Sequence, residues 1–255
     1  MNVLVCVKRV PMVGARITVT PDAQEIDTRL LGFTVSPHEE CGVEEAVRIV
    51  ERAGGTVTVL TLGPPESVEQ LRDAAAIGAG RLVLLETDGR EWGPVATAAA
   101  IVESMKADEA KNGPYGLVIF GNEAADTGDY QVAIRVAHAL GRPCATGIKR
   151  LDLNATTVDA RRDFRGGDEL FELALPAVVS VKEGINLPRY PSLPGRMRAK
   201  KAAVEQSAPQ WQDDPVHKRT LRVPVMERRR AVILGEGVEA VPALVKVLEQ
   251  IGVLS

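Results

Sequence analysis

Four stretches of strand length, each followed by a segment with helical periodicity, constrain the fold of this chain more than any other feature. The stretches are residues 3–7, 56–62, 81–87 and 117–120, and the first and last are uninterrupted apolar runs. Such runs are typical of strands that are buried on both faces in a parallel sheet. Successive strand–helix units connect by right-handed crossovers. The pattern therefore predicts an α/β fold with a doubly wound, mostly parallel sheet.

Start and stop signals place the first helix between the first two strands. Ser36 provides an N-cap, Pro37 follows at the first helical position, and the glycine pair at 54–55 ends the helix. A charge cluster at a helix start is usually a solvated face, and we expect this of Glu39, Glu40, Glu44 and Glu45. Further helices are expected after Ser67, over residues 94–107 and after residue 131.

The loop that follows the fourth strand has the composition of an anion site. Apart from Glu123, residues 121–129 are glycines and other small or turn-forming residues, which allow close approach of a ligand to the backbone. The next helix would direct backbone N–H groups and the positive end of its dipole at a phosphate. In doubly wound sheets a ligand lies at the carboxyl ends of the strands, which places residues 6–9 and 61–63 beside this loop. The alternative is a strand-to-helix turn that binds nothing.

The character of the sequence changes after Gly141. Residues 148–153, 157–164 and 170–175 alternate apolar and polar residues, which predicts an antiparallel meander, and residues 177–181 form one more buried strand. The following stretch, 186–201, is rich in proline and basic residues, so we expect an exposed loop that leads into a basic helix.

The C-terminal region contains one further helical pattern. Residues 202–230 show no clear periodicity, whereas 237–252 place apolar residues on one side of a helix. Residues 235–240 imitate a dinucleotide fingerprint, but the chain is too short beyond them for the second strand and acidic residue of a Rossmann unit. We expect this helix to pack on the domain or on a partner.

Charge and cysteine usage narrow the possible functions. The formal net charge of −3 gives no overall basic field, so nucleic acid is not expected as the main partner. Cys6, Cys41 and Cys144 lack the spacing of a metal site, and no nucleophile elbow, P-loop or zinc-protease motif is present. We recognise neither a signal peptide nor a membrane span, and reduced thiols favour a cytoplasmic location.

Over nearly its whole length the chain resembles the beta (small) subunit of the electron transfer flavoproteins. The early part of the likeness lies in VLVCVKRV, SPHEECGVEEAVRI, TLGP and the phosphate loop GNEAADTGDYQV. RRDFRGGDELFELALPAVVSV is similar to the signature of that subunit, and INLPRYPSLPGRMRAKK is similar to its partner-recognition loop. These last two motifs are specific to the family.

The resemblance implies a structural adenine nucleotide, which in this family is usually AMP. The residues expected around it are Cys6, Ser36, Leu62, Gly63, Gly121, Asn122, Asp126, Thr127, Gly128, Asp129, Tyr130, Gln131 and Val132. Tyr130 and Val132 stand where AMP-binding members commonly have Asn and Thr. A related electron-bifurcating branch binds a second FAD in this place. We therefore expect AMP as the ligand and keep a second FAD as the alternative.

The resemblance also implies partners. An alpha subunit would complete a heterodimer and hold most of the redox-active FAD. Leu193 and Met197 would dock dehydrogenases of the acyl-CoA type, Asp163 would face the flavin domain of the alpha subunit, and the electrons would pass to a quinone-linked acceptor. Arg165 and Phe171 replace an acidic and an aliphatic residue of the family signature, which changes the expected interdomain contacts.

The predicted organisation has three parts. Residues 1–185 form the nucleotide-binding domain with the antiparallel meander 148–175, residues 186–201 form the exposed recognition loop, and residues 202–255 form a C-terminal arm and helix against the partner subunit. Such a chain would be an electron carrier and not an enzyme. Two alternatives of another class are a free-standing adenine-nucleotide hydrolase or ligase, for which a phosphate-cleaving apparatus is missing, and a nucleotide sensor without chemistry.

Overall fold

The computed structural model describes residues 1–12, 14, 17–224 and 231–254. The described strands are β1 Asn2–Val7, β2 Val10–Pro11, β3 Phe33–Thr34, β4 Val57–Gly63, β5 Arg81–Glu86, β6 Tyr115–Gly121, β7 Cys144–Ile148, β8 Arg150–Leu153, β9 Thr157–Phe164, β10 Gly167–Ala174, β11 Ala177–Val181 and β12 Glu205–Ser207. The described α-helices are α1 Pro37–Ala53, α2 Val68–Ile77, α3 Pro94–Asn112, α4 Val132–Leu140, α5 Leu193–Lys200 and α6 Val241–Gln250.

A seven-stranded sheet forms the centre of the molecule. Its order is β12-β5-β4-β1-β6-β11-β7, and the pairings along it are parallel. The chain proceeds from β1 outward to β4 and β5 on one side, and it then returns to place β6 on the other side of β1. This reversal of direction confirms the predicted doubly wound fold, and it puts the topological switch point between β1 and β6.

Helices cover the sheet on both faces, as the uninterrupted apolar runs predicted. Val3, Val5 and Val7 of β1 belong to the core under α1 and α2, whereas Leu4 and Cys6 belong to the core under α3 and α4. Successive side chains of a strand point to opposite faces, so a strand buried on both sides needs apolar residues at every position.

Helix α1 begins where its sequence signals predicted. Ser36 is the N-cap, its hydroxyl accepts a hydrogen bond from the backbone N–H of Glu39, and the Glu39 carboxylate accepts one from the N–H of Ser36. This reciprocal pair is a capping box, and it satisfies two N–H groups that have no acceptor inside the helix. The helix ends at Gly54.

The antiparallel meander is present as a separate three-stranded sheet in the order β10-β9-β8. The sequence reading missed β7, the strand that precedes this sheet. Gly141, in the left-handed region at φ 62°, ends α4, and the chain then forms β7, which pairs with β11 in the main sheet. Strand β12 was missed as well. Its three exposed residues carry no hydrophobic pattern, and it is positioned by pairing with β5 and by an ion pair of 2.9 Å between Arg81 and Glu205.

Two C-terminal segments differ in how they pack. In the stretch expected to be an exposed loop that leads into a basic helix, residues 193–200 form the helix α5, which contacts α2 and is capped by the Ser192 hydroxyl. By contrast, none of residues 231–254 is buried, although they include α6. Among the described helices, none is long and apolar enough to cross a membrane.

Candidate functional site

A cavity of about 620 Å³ lies at the carboxyl ends of the central strands, close to the switch point of the sheet. Its walls include the ends of β1, β4 and β6 and the first turn of α4. Small-molecule sites in proteins have volumes of roughly 300–1,000 Å³, and they lie preferentially at such switch points. The position and size of the cavity make it the candidate binding site of this chain.

Most of the residues predicted around a nucleotide line this cavity. Those in its wall are Cys6, Leu62, Gly63, Gly121, Asn122, Thr127, Asp129, Tyr130 and Val132. Four others, Ser36, Asp126, Gly128 and Gln131, are not in the wall but are neighbours of lining residues in the loop or in the α1 cap. The predicted partner-binding residues Asp163, Leu193 and Met197 do not line it.

Glu39 forms a buried acidic part of the wall that the sequence reading missed. Its carboxylate accepts hydrogen bonds from the N–H of Lys8 (2.9 Å) and of Ser36 (3.0 Å), so it joins the end of β1 to the start of α1. Burial raises the pKa of Glu39 to about 7, although both N–H groups favour the ionised form. The capping-box spacing from Ser36 to Glu39 is the signal that could have identified this residue.

Gly121 is required by the close packing at this wall. A Cβ atom on Gly121 would lie 2.8 Å from Cγ of Glu39 and 3.4 Å from Cβ of His38. Any side chain here would push Glu39 away from its two N–H donors. The glycine therefore keeps the carboxylate and the loop entrance in contact.

The loop before α4 satisfies part of its own backbone, which differs from the expectation of a fully open anion site. The Asp126 carboxylate accepts from the N–H of Thr127 at 2.9 Å, and the Asp129 carboxylate accepts from the N–H of Gln131 at 2.8 Å. Short acidic side chains commonly make such turns with their own backbone. The N–H groups of residues 132–134 still have no acceptor within the helix, since Arg135 is the first to bond back, to Gln131.

A basic side chain lies beside this loop. The Lys8 ammonium is 2.8 Å from the Asp126 carboxylate, and Lys8 also lines the cavity. The Lys8 side chain and the positive end of α4 thus both lie at the side of the cavity where the phosphate was predicted.

Residues that are remote from one another in sequence also line the cavity, and the sequence reading did not place them there. Glu25 and Lys218 both line it and form an ion pair of 2.5 Å, and the Gln24 side chain donates to the carbonyl of Arg219 at 3.1 Å. The indole N–H of Trp211 donates to the carbonyl of Glu91, another lining residue. These contacts span more than a hundred residues of sequence, so no local pattern could have revealed them.

The thiol of Cys6 lines this cavity. Burial, and to a smaller extent the nearby Glu39 carboxylate, raises the pKa of the Cys6 thiol. Since only the thiolate is nucleophilic, Cys6 is an apolar wall residue at neutral pH. Across the described ranges, no group of three or more histidine, cysteine, aspartate or glutamate side chains is arranged to hold a metal ion.

The predicted solvated glutamate face of α1 is wrong for three of its four members. Glu39, Glu44 and Glu45 are buried, and only Glu40 is partly exposed. Glu44 and Glu45 lie under the stretch 186–189 and bind Arg189 and Asn186. A buried carboxylate needs such partners, and these ones come from a distant part of the chain.

Comparison with known proteins connects this geometry with a family. The family model described as "Electron transfer flavoprotein domain" matches residues 26–210. The chain is 36% identical over 208 residues to the electron transfer flavoprotein subunit beta of Bacillus subtilis (strain 168), with 81% of this chain and 78% of the relative covered. It is 33% identical over 248 residues to the mitochondrial subunit beta of Oryza sativa subsp. japonica, with 96% and 97% covered.

Proposed function

Because this chain belongs to the electron transfer flavoprotein beta-subunit family, we propose that it is one half of a heterodimeric electron carrier. An alpha subunit would be the other half and would hold most of the FAD. The donors would be dehydrogenases of the acyl-CoA type, and the acceptor would be linked to quinone. The three cysteines are free thiols, in keeping with the reducing cytoplasm that we propose as its compartment.

The last part of the C-terminal arm, residues 231–254, is the observation that carries this proposal. No residue of this part is buried, yet it presents many large apolar side chains: Val232, Ile233, Leu234, Val238, Val241, Leu244, Val245, Ile251, Val253 and Leu254. Exposed apolar surface of this extent is typical of a protein interface. An amphipathic helix such as α6 would bury this face against the alpha subunit.

In the cavity we propose AMP as a structural ligand. The N–H groups of residues 132–134 and the Lys8 ammonium would hold its phosphate, and Leu62 and Val132 would provide apolar surface for the base. Gly121 lets the start of the loop pack closely against Glu39. The volume of about 620 Å³ suits a mononucleotide, and a second FAD in its place is the alternative that the test below separates.

FAD, when bound by the complex, would supply the reversible storage of electrons. This chain would contribute a wall of the flavin site, and Asp163, on the exposed tip of the β9–β10 hairpin, would face the flavin domain of the partner. No proton transfer is assigned to a side chain of this subunit.

We propose that Leu193 and Met197 are the residues that contact the electron donor when it docks. Leu193 is 73% exposed at the first turn of α5, Met197 is exposed one turn later, and Arg196, Arg198 and Lys200 lie on the same short helix. An apolar anchor with a basic rim fits a partner pocket with an apolar floor and an acidic edge.

Nucleotide extraction from the purified complex tests the proposal. The chain is co-expressed with an alpha subunit, and the extracted nucleotides are separated and quantified. A yellow heterodimer with one flavin and one AMP is expected, whereas two flavins would favour the second-FAD alternative. A colourless monomer that turns over ATP, or that binds nucleotide without chemistry, would contradict the carrier function.

A substitution at the anchor tests the docking role. Leu193→Ala should slow electron transfer from an acyl-CoA dehydrogenase while the flavin content of the heterodimer stays unchanged, because the side chain contacts neither cavity nor core. Truncating a buried anchor at an interface typically costs about 2 kcal/mol or more, which corresponds to at least about a 30-fold loss of affinity. Leu170→Ala, which removes an equally exposed leucine from β10, is the matched control. Unchanged transfer kinetics in Leu193→Ala would count against the anchor.

A further inference from the structure

The docking segment, residues 186–201, is held against helix α1 by a cluster of polar contacts. We propose that Arg189 is the positioning residue of this segment: it ties the segment to the buried carboxylate of Glu44 and so fixes the direction in which the exposed apolar residues face. This inference rests on the proposed docking function, because it concerns how the same surface is presented.

Arg189 makes a two-sided contact with α1. Its Nε and Nη2 donate to the Glu44 carboxylate at 2.9 and 3.1 Å, and its backbone N–H donates to the same group at 3.2 Å. Its Nη1 and Nη2 also donate to the Glu51 carboxylate at 2.6 and 2.9 Å. A planar guanidinium can serve two carboxylates in fixed geometry, which a lysine ammonium cannot do.

Neighbouring residues continue the same contact along one face of the helix. The Asn186 side chain donates to the Cys41 carbonyl at 3.0 Å and to the Glu45 carboxylate at 2.9 Å. Arg48 donates to the Leu187 carbonyl at 3.0 Å and to Glu44 at 2.5 Å. The contacts from α1 thus recur at helical spacing and meet a segment about 140 residues away in sequence.

Glu44 makes the arginine necessary. Its side chain is only 1% exposed, and burial would raise its pKa, but the hydrogen bonds from Arg189 and Arg48 outweigh that effect and hold the pKa below its ordinary value. The carboxylate is therefore charged at neutral pH. Losing the contact with Arg189 would leave this buried charge with Arg48 as its remaining partner, so the segment has one strongly preferred position.

The apolar residues beside these contacts point outward. Asn186 and Arg189 turn toward α1, whereas Leu187 and Tyr190 are 84% and 93% exposed, and Leu193 follows at the start of α5. A segment interrupted by prolines has no regular hydrogen bonding of its own to fix this alternation. Contact with α1 fixes this alternation. Loss of the contact would let the segment sample orientations in which the apolar residues no longer face a partner together.

Steady-state kinetics of the assembled heterodimer test the inference. The donor is an acyl-CoA dehydrogenase with its acyl-CoA substrate, and the variant is Arg189→Lys, which keeps the charge but loses the fork. If about a tenth of the molecules keep the productive orientation, the KM for the carrier rises about tenfold while kcat is unchanged. Amide hydrogen exchange of residues 186–192 should become correspondingly faster in the isolated heterodimer.

Two further variants make the outcome decisive. Arg142→Lys perturbs a mostly buried ion pair with Glu109 (2.6 Å) away from the docking segment, so it reports a general loss of stability and should leave the KM unchanged. Leu193→Ala reports the docking function itself. If Leu193→Ala raises the KM and Arg189→Lys changes neither KM nor exchange, the positioning role is refuted. An equal KM increase in Arg142→Lys would also refute it, and an unchanged KM in Leu193→Ala would remove the docking function on which the inference rests.

Discussion

Glu39 should make this protein less stable as the pH rises through neutrality. Its carboxyl group is buried at the cavity wall, and burial raises its pKa from 4.5 to about 7. Between these pH values the folded protein keeps a proton that the unfolded chain has already released. Unfolding therefore releases a proton, and a rising pH favours the unfolded state.

The magnitude follows from the two pKa values. A difference between about 7 and 4.5 corresponds to about 3 kcal/mol, at roughly 1.4 kcal/mol for each pKa unit. This stabilisation is fully present below about pH 4.5, is lost as the pH rises to about 7, and then stays lost.

Glu39→Gln is the variant that isolates the effect. Glutamine does not titrate, and its amide oxygen still accepts the capping hydrogen bond from the N–H of Ser36. Urea unfolding of both proteins between about pH 4.5 and 8 gives the difference in their free energies of unfolding, in which the other titrating groups cancel. We expect the wild type to lose about 3 kcal/mol relative to the variant over this range. A difference that is independent of pH, or that grows in favour of the wild type, would refute the reasoning.

Substitutions at two further positions test the packing at the cavity wall and the cap of α3. Gly121→Ala places a methyl group 2.8 Å from Cγ of Glu39, so the free energy of unfolding should fall by about 1–3 kcal/mol and the co-purified AMP should decrease. An unaltered nucleotide content would contradict the packing argument. Asp214 caps α3 by accepting from the N–H groups of Val95 and Ala96 at 2.8 and 3.3 Å. Asp214→Ala should cost about 1 kcal/mol in urea unfolding, and Asp214→Asn should retain most of the stability.

The fold could be predicted because its determinants are local. Uninterrupted apolar runs such as Leu117 to Phe120 indicate strands buried on both faces, and Ser36 with Pro37 fixes the start of α1 within a residue. Strand β12 could not be predicted. Its residues are polar and exposed, and only the free edge of β5 and the guanidinium of Arg81 make it a strand.

The candidate site was predictable to the extent that the sheet determines it. The carboxyl-edge rule correctly gathered the strand ends at Cys6, Gly63 and Gly121 around one cavity. The rule carries no information on Glu25, which lies between β2 and β3, or on Lys218, although both residues line the cavity and form an ion pair there. Nor does it say that Asp126 and Asp129 would use part of the loop backbone for themselves.

Helix α1 shows why a local reading of charge failed. Charge clusters at helix starts are solvated in most proteins, and nothing within the helix distinguishes Glu44 from an exposed glutamate. The difference lies in Arg189 and Asn186, which follow six of the seven strands of the main sheet in the sequence. A buried acid of this kind becomes recognisable in a sequence only when its distant basic partner is known.

The same helix connects the two surfaces on which the proposed function depends. Its first turn places Glu39 in the wall of the cavity, where the carboxylate holds the end of β1 through the N–H of Lys8. Its next turns place Glu44 and Glu51 under Arg189 and so under the docking segment. Because an α-helix is stiff over this length, the distance and angle between the cavity and the docking segment are fixed by backbone hydrogen bonds. The proposed nucleotide, by bracing the first turn of α1, would therefore also support the surface that we propose for the electron donor, without taking part in the transfer.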